Sequence, residues 1–231
     1  MRNPRALILI LAVLLAVSSI ASARPYNSSP NSLKFRYGEF ELDGDSIYWQ
    51  TRREDFFGSE SAFDDDRLGV DFTRMVSERL GVIVSVSQHE GQQTTAFRDF
   101  VDDLGADIEH TTDLETADLS AGMVFYLLRR DAIVAPYIGA GLGVYFYDLT
   151  ETGDFIDFDT FDIFNGSFSG QGEALGLFFL VGIEVPVTAS FSIFGEARWH
   201  DARADLEGDF HDFGEIDLGG KELAFGISFR F

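Results

Sequence analysis

Between Val134 and Tyr147 the chain alternates two kinds of residue. Val134, Pro136, Ile138, Ala140, Leu142, Val144 and Phe146 occupy one set of positions, and Tyr137, Gly139, Gly141, Gly143, Tyr145 and Tyr147 the other. A helix would mix these sets around its circumference, whereas a strand separates them onto two faces, so the spacing predicts a strand. Glycines repeated on one face predict a space on that side too crowded for larger side chains.

The same period recurs along the chain. Leu223, Phe225, Ile227, Phe229 and Phe231 alternate with Glu222, Ala224, Gly226, Ser228 and Arg230. Shorter or equal runs follow the pattern from Leu68 to Thr73, Leu80 to Ser87, Ala117 to Leu127, Leu175 to Val185 and Phe191 to His200. A first strand from Leu33 to about Leu42 starts in phase, with Leu33, Phe35 and Tyr37 opposite Lys34, Arg36 and Gly38. Glu39 then falls on the apolar face, and a bulge near Gly38 is predicted to restore the phase.

Eight such strands of roughly 9 to 14 residues match tilted strands that cross a thin bilayer. Short turns at 76–79, 129–132 and 186–189 alternate with long segments near 43–66, 90–116, 148–171 and 201–221. A two-sheet sandwich has no reason to alternate its loops in this way. The prediction is therefore an all-β, eight-stranded antiparallel up-and-down transmembrane β-barrel. Its short turns lie on the periplasmic side and its long acidic loops are extracellular.

The amino-terminal residues support export. Arg2 and Arg5 precede an uncharged apolar stretch from Ala6 to Val17, which leads to Ala21-Ser22-Ala23. That order reads as a secretory signal peptide over 1–23, too short in its apolar core for a spanning helix. It is followed by a lead-in at 24–32 and the barrel domain at 33–231.

Charge narrows the function classes. With 39 acidic and 17 basic residues the net charge is -22, a field that repels nucleic acid. The 24 Phe make the chain too apolar for an acidic disordered polypeptide, so the carboxylates must sit apart from an apolar surface, mainly in the four long segments. The absence of cysteine removes disulfides, thiolate metal sites and cysteine nucleophiles.

The run Pro136-Tyr137-Ile138-Gly139-Ala140-Gly141-Leu142-Gly143, the stretch Phe194-Gly195-Glu196-Ala197-Arg198-Trp199 and the closing Gly226-Ile227-Ser228-Phe229-Arg230-Phe231 resemble the OmpA/OmpX/OmpW-like outer-membrane β-barrel domain. The resemblance implies a Gram-negative outer-membrane location and contact with outer-membrane lipid and lipopolysaccharide. It also implies passage by periplasmic chaperones to the barrel-assembly machinery. Phe231, with Phe229 before it, matches the terminal aromatic signal that this machinery reads. Peptidoglycan anchoring by a following domain is not implied.

If the apolar faces meet lipid, the opposite faces put Lys34, Arg36, Arg198 and Arg230 in the lumen with Asp71, Asp118, Glu184, Glu196 and Glu222. Nearly balanced charge predicts a salt-bridged, side-chain-filled interior, because buried charges are costly unless paired. Counted from the short turns, Glu184, Arg230 and Lys34 lie toward the periplasmic end, and Glu196, Arg36, Arg198 and Asp71 nearer mid-height.

Catalytic candidates are weak. The His-x-Ser pattern of outer-membrane deacylases is missing at His89, His110, His200 and His211, with His110-Thr-Thr112 the nearest approach. The acidic run from Asp154 to Asp162, with Asp64, Asp65 and Asp66, offers oxygen ligands for divalent cations but lacks the EF-hand spacing. Phe155, Phe158, Phe161 and Phe164, interspersed in that run, are expected to pack over the barrel mouth or against a partner. The first functional expectation is a non-enzymatic structural or surface-interaction barrel without cofactors. The second is a narrow porin-like channel for small or apolar solutes, as in the OmpW-like branch, and the third a lipid-modifying enzyme.

Overall fold

The computed structural model describes residues 29–231, so the predicted signal peptide and most of the lead-in lie outside the described residues. The barrel strands are β1 (Asn31–Leu42), β2 (Asp65–Met75), β3 (Leu80–Val101), β4 (Asp107–Tyr126), β5 (Ala135–Ile156), β6 (Ile163–Pro186) and β7 (Phe191–Asp205). A three-residue strand, β8 (Glu215–Asp217), precedes the last, β9 (Gly220–Arg230). Each barrel strand pairs antiparallel with its neighbour, β6 pairs with β7, and β9 closes the ring between β7 and β1. Eight strands thus form a closed cylinder without a free edge at its waist. The short β8 pairs only with the outer end of β7.

Outward positions build an apolar girdle. Leu142, Leu175 and Leu223 are 64%, 83% and 71% exposed, and Phe225 63%. A continuous surface of this kind is incompatible with water and fits hydrocarbon. Among the described residues no helix is long and apolar enough to cross a membrane, so the strands cross it. Aromatic pairs stud the girdle: Tyr37 with Phe225 at 5.7 Å between ring centroids, Phe35 with Phe229 at 6.4 Å, and Phe179 with Trp199 at 6.0 Å.

The glycine face of β5 points inward and leaves room for large side chains from β6. A Cβ on Gly141 would lie 2.5 Å from Phe178, and one on Gly139 3.1 Å from Leu180. Glycine here permits close approach of a neighbouring ring.

Three expectations need correction. β1 contains no bulge: its register with β2 and with β9 runs without a shift. Glu39 faces outward above the girdle, and Phe40 faces inward and is fully buried, so the change of phase marks the edge of the membrane zone. The strands are also longer than predicted. β3 and β5 have 22 residues each and β6 has 24, where about 9 to 11 suffice to cross the bilayer. The segments at 90–116 and 148–171 are therefore mostly tall hairpins, with turns only at 102–106 and 157–162. Beyond the membrane the outward face turns polar and the inward face mixes Leu114 and Leu149 with His110, Thr112 and Glu151, so the period-two contrast fades while backbone pairing continues. Finally, the turn between β4 and β5 spans 127–134, wider than the expected 129–132.

The segment at 43–64 holds a helix, α1 (Ile47–Asp55), which the alternation did not reveal. Tyr48, Trp49 and Arg52 are its buried residues, spaced for one helical face. Ser46 stands at its N-cap, Arg52 and Arg53 suit the negative end of its dipole, and Phe56 leaves it to bridge Phe97 on β3.

Candidate functional site

All nine lumen residues expected from the sequence lie on inward-facing positions, and ion pairs among them span the barrel interior. At the centre Asp71 on β2 accepts hydrogen bonds from Arg36 on β1 (2.8 Å), Arg198 on β7 (2.7 Å) and Ser85 on β3 (2.6 Å). Arg198 also pairs with Glu196, whose other oxygen accepts from Tyr137 at 2.8 Å. Arg36 reaches Glu222 on β9 at 2.7 Å. Asp118 is held by Arg67 and Ser87.

A second centre lies toward the short turns. Glu184 on β6 accepts from Arg230 at 2.7 Å and from the Tyr126 hydroxyl at 2.8 Å, with Arg130 at 3.7 Å and Lys34 at 3.9 Å. The Lys34 ammonium sits 4.0 Å from the Tyr137 ring centroid and 4.6 Å from that of Phe194. Around these charges pack Ile83, Val124, Tyr126, Tyr137, Phe178 and Leu180.

Arg67 and Arg130 join the set without having been expected from the sequence, and His200, whose alternation puts it on the face of Glu196 and Arg198, joins the charged cluster. Arg67 lies two residues before Gly69 and four before Asp71, so the inward period extended backward would have found it. Arg130 comes from a turn, where no periodicity applies. His200 lies on the inward set of β7, its Nδ1 3.0 Å from the Tyr145 hydroxyl and its Nε2 3.5 Å from Glu222.

Above the charged layer the lumen is apolar and capped. Phe40, Phe63, Leu114, Tyr145, Leu149, Ile216 and Leu218 form one cluster with Tyr48 and Trp49 of α1. The Trp49 indole donates to the Asp217 carbonyl at 3.3 Å. Arg52 pairs with Glu151 on β5, which also accepts from Tyr48 (2.9 Å) and Thr112 (3.2 Å). These bonds tie the helix to the barrel wall.

The phenylalanines of the acidic run do not lie over the mouth, which α1 occupies. Phe155 packs on Phe164, Phe168 and His110, and Phe158 on Phe97 and Phe100 of the neighbouring hairpin. The tall hairpins thus cover each other's aromatic faces, because both rise from adjacent strands of one sheet.

The histidines serve contacts. His89 Nε2 lies 2.9 Å from the Phe63 carbonyl, and His110 is buried beside Phe56, Phe97 and Phe155, 3.3 Å from Thr95. His211 is exposed beside Asp212. Among the described residues no three histidine or carboxylate groups gather to hold a metal. Asp157 instead accepts backbone N–H groups of Asp159 and Thr160, a turn-making role, and Asp64 accepts that of Leu42, which ties the segment before β2 to the end of β1.

Phe229 faces outward against Phe35 and Phe191, and Phe231 exchanges two backbone hydrogen bonds with Asn31.

No protein-family model matches the chain, and no curated protein matches it. Solved structures do. OprG of Pseudomonas aeruginosa superposes with a TM-score of 0.58 at 13% identity, over 90% of this chain and 98% of that one. Neisserial surface protein A gives a TM-score of 0.52 at 12% identity, over 87% and 96% of the two chains. A major outer membrane protein of Thermus thermophilus gives 0.52 at 13% identity, over 89% and 100%. Such low identities speak to fold, and the superpositions agree with the closed ring and its apolar girdle: the chain has the eight-stranded β-barrel fold of these outer-membrane proteins.

Proposed function

We propose that this protein is a non-enzymatic barrel with a closed lumen, whose role is structural or lies in contacts made at the cell surface. The observation that carries this reading is the Arg36–Asp71–Arg198 cluster. Its three side chains come from β1, β2 and β7 and meet across the interior, with α1 seated above them. Buried charges so paired cannot separate cheaply to admit a solute. Residues 1–23 act as a cleaved signal peptide, and Phe229 and Phe231 as the segment read by the assembly machinery. Outer-leaflet lipopolysaccharide surrounds the girdle, and divalent cations can bridge its phosphates to the acidic outer segments. Osmotic swelling of proteoliposomes with small sugars tests the closed lumen: the reading requires no swelling above that of protein-free vesicles.

A second reading, a narrow channel for small or apolar solutes, draws on Phe178, Leu180 and Phe194, which place apolar surface in the periplasmic half of the lumen. Under that reading swelling or uptake of apolar solutes appears and depends on these side chains.

A further inference from the structure

The tips of the two tall hairpins leave apolar side chains bare. Leu104 is 93% exposed, Val101 58%, Phe158 61% and Phe161 66%. Phe158 joins the tips by its contacts with Phe97 and Phe100, at 6.4 and 5.8 Å between ring centroids. Phe161 adopts a positive φ of 60°, a conformation that L side chains other than Asn and Asp rarely take. Its backbone N–H is fixed to the Asp157 carbonyl at 2.6 Å, so the turn holds the ring outward rather than letting it fold back.

The charge around this apolar crown has one sign. Residues 97–109 and 154–164 hold nine carboxylates (Asp99, Asp102, Asp103, Asp107, Glu109, Asp154, Asp157, Asp159 and Asp162) against one cation, Arg98. Arg98 is engaged, with Nε donating to the Phe56 carbonyl at 2.6 Å and its guanidinium 5.3 Å from the Phe57 ring centroid. A second copy of the crown or an anionic lipid surface would meet like charge. A partner segment with alternating cationic and apolar residues would meet complementary charge, and arginine would also find exposed ring faces.

We propose that this crown is a docking surface for a cationic amphipathic segment of a partner protein. The proposal rests on the surface-contact reading above and gives that contact a chemical class. The test uses the full protein in zwitterionic nanodiscs and a fluorescent peptide of alternating Arg and Leu, read by anisotropy. Saturable binding is expected. It should weaken at least tenfold in the F158S/F161N variant, where Asn tolerates the positive φ, and several-fold in D159N/D162N or at high salt. Should F158S/F161N fail to fold by heat-modifiable gel mobility, Leu104→Ser, whose side chain is almost fully exposed, is read in its place. The proposal is overturned by absent binding, by equal binding of a Glu-Leu peptide or a lysine oligomer, or by unchanged binding in the crown variant. Crown-dependent binding of phosphatidylglycerol vesicles, or crown-dependent dimers, would overturn it in favour of lipid or a second copy. Conductance of the same purified protein in a planar bilayer separates the two readings: a conducting barrel that binds the peptide defeats the closed lumen alone, and a silent one that does not bind defeats the docking surface alone.

Discussion

Arg198 on β7 reaches Asp71 on β2 at 2.7 Å, with the two side chains 1% and 0% exposed. Their strands are separated around the ring by β9 and β1, so the pair is a chord across the lumen. Asp71→Ala should therefore destabilise the barrel by about 3 to 5 kcal/mol, because it leaves Arg198 and Arg36 buried beside a missing partner. The further change Arg198→Ala should recover part of that loss. A double-mutant cycle read by heat-modifiable gel mobility across denaturant measures the coupling. By the same geometry Glu196→Ala should couple to Arg198→Ala, its direct partner, and much less to Arg36→Ala. Additive effects throughout would mean that the pairs do not act as units.

The exterior makes an independent prediction. Leu142 faces outward from the apolar first half of β5 and is 64% exposed. Leu142→Arg should cost roughly 2 to 4 kcal/mol and reduce folding into lipid, while Thr160→Arg in the outer turn should fold as the parent does. Equal folding yields would show that this face does not meet hydrocarbon.

Inside, Gly141→Val should impair assembly by overpacking. Its Cβ would fall 2.5 Å from the Phe178 ring, and the neighbouring backbone of Ala121 cannot retreat without breaking the β4–β5 ladder. Shortening the opposing ring in Gly141→Val/Phe178→Ala should restore only part of the yield, since the backbone clash persists. Wild-type yield from Gly141→Val alone would contradict the crowded interior.

The mouth should respond to acid. Burial beside Phe56, Phe97 and Phe155 pushes the His110 imidazole below its ordinary value of 6.5, an effect opposed by Glu151 and reinforced by Arg52. As pH falls through 6.5, the opened chain takes up a proton that the folded one refuses, so the stability of this region drops until the lowered folded value is passed. Trp49, 1% exposed on the buried face of α1, reports the change by its fluorescence. A red shift on acidification is expected for the parent and should shrink in His110→Phe. An identical acid response in both proteins would place the sensitivity elsewhere.

Legibility in the sequence followed physical periodicity. Within the girdle one strand face meets lipid and the other the lumen, so residues such as Ile138, Gly139, Ala140 and Gly141 alternate cleanly and reveal strand, face and crowding together. Above the girdle that contrast disappears. Gln92, Thr94, Asp113 and Thr150 face water, and the continuing ladder leaves no alternating signature. Arg67 was missed because it sits at that boundary, just before the apolar positions of β2 begin. Helix α1 was hidden for another reason. Its nine residues include Gln50, Arg52, Arg53, Glu54 and Asp55, and its place over the mouth comes from the Arg52–Glu151 and Trp49–Asp217 contacts, whose partners lie far apart in the chain.

The most direct test of the closed lumen is electrical. Purified protein in a planar bilayer should show no steady single-channel steps, and the Asp71→Ala/Arg198→Ala barrel, if it folds, should be the first to leak, because it lacks the chord that spans the interior. Steady, reproducible conductance from the parent protein would contradict the closed barrel and make the channel reading the better one.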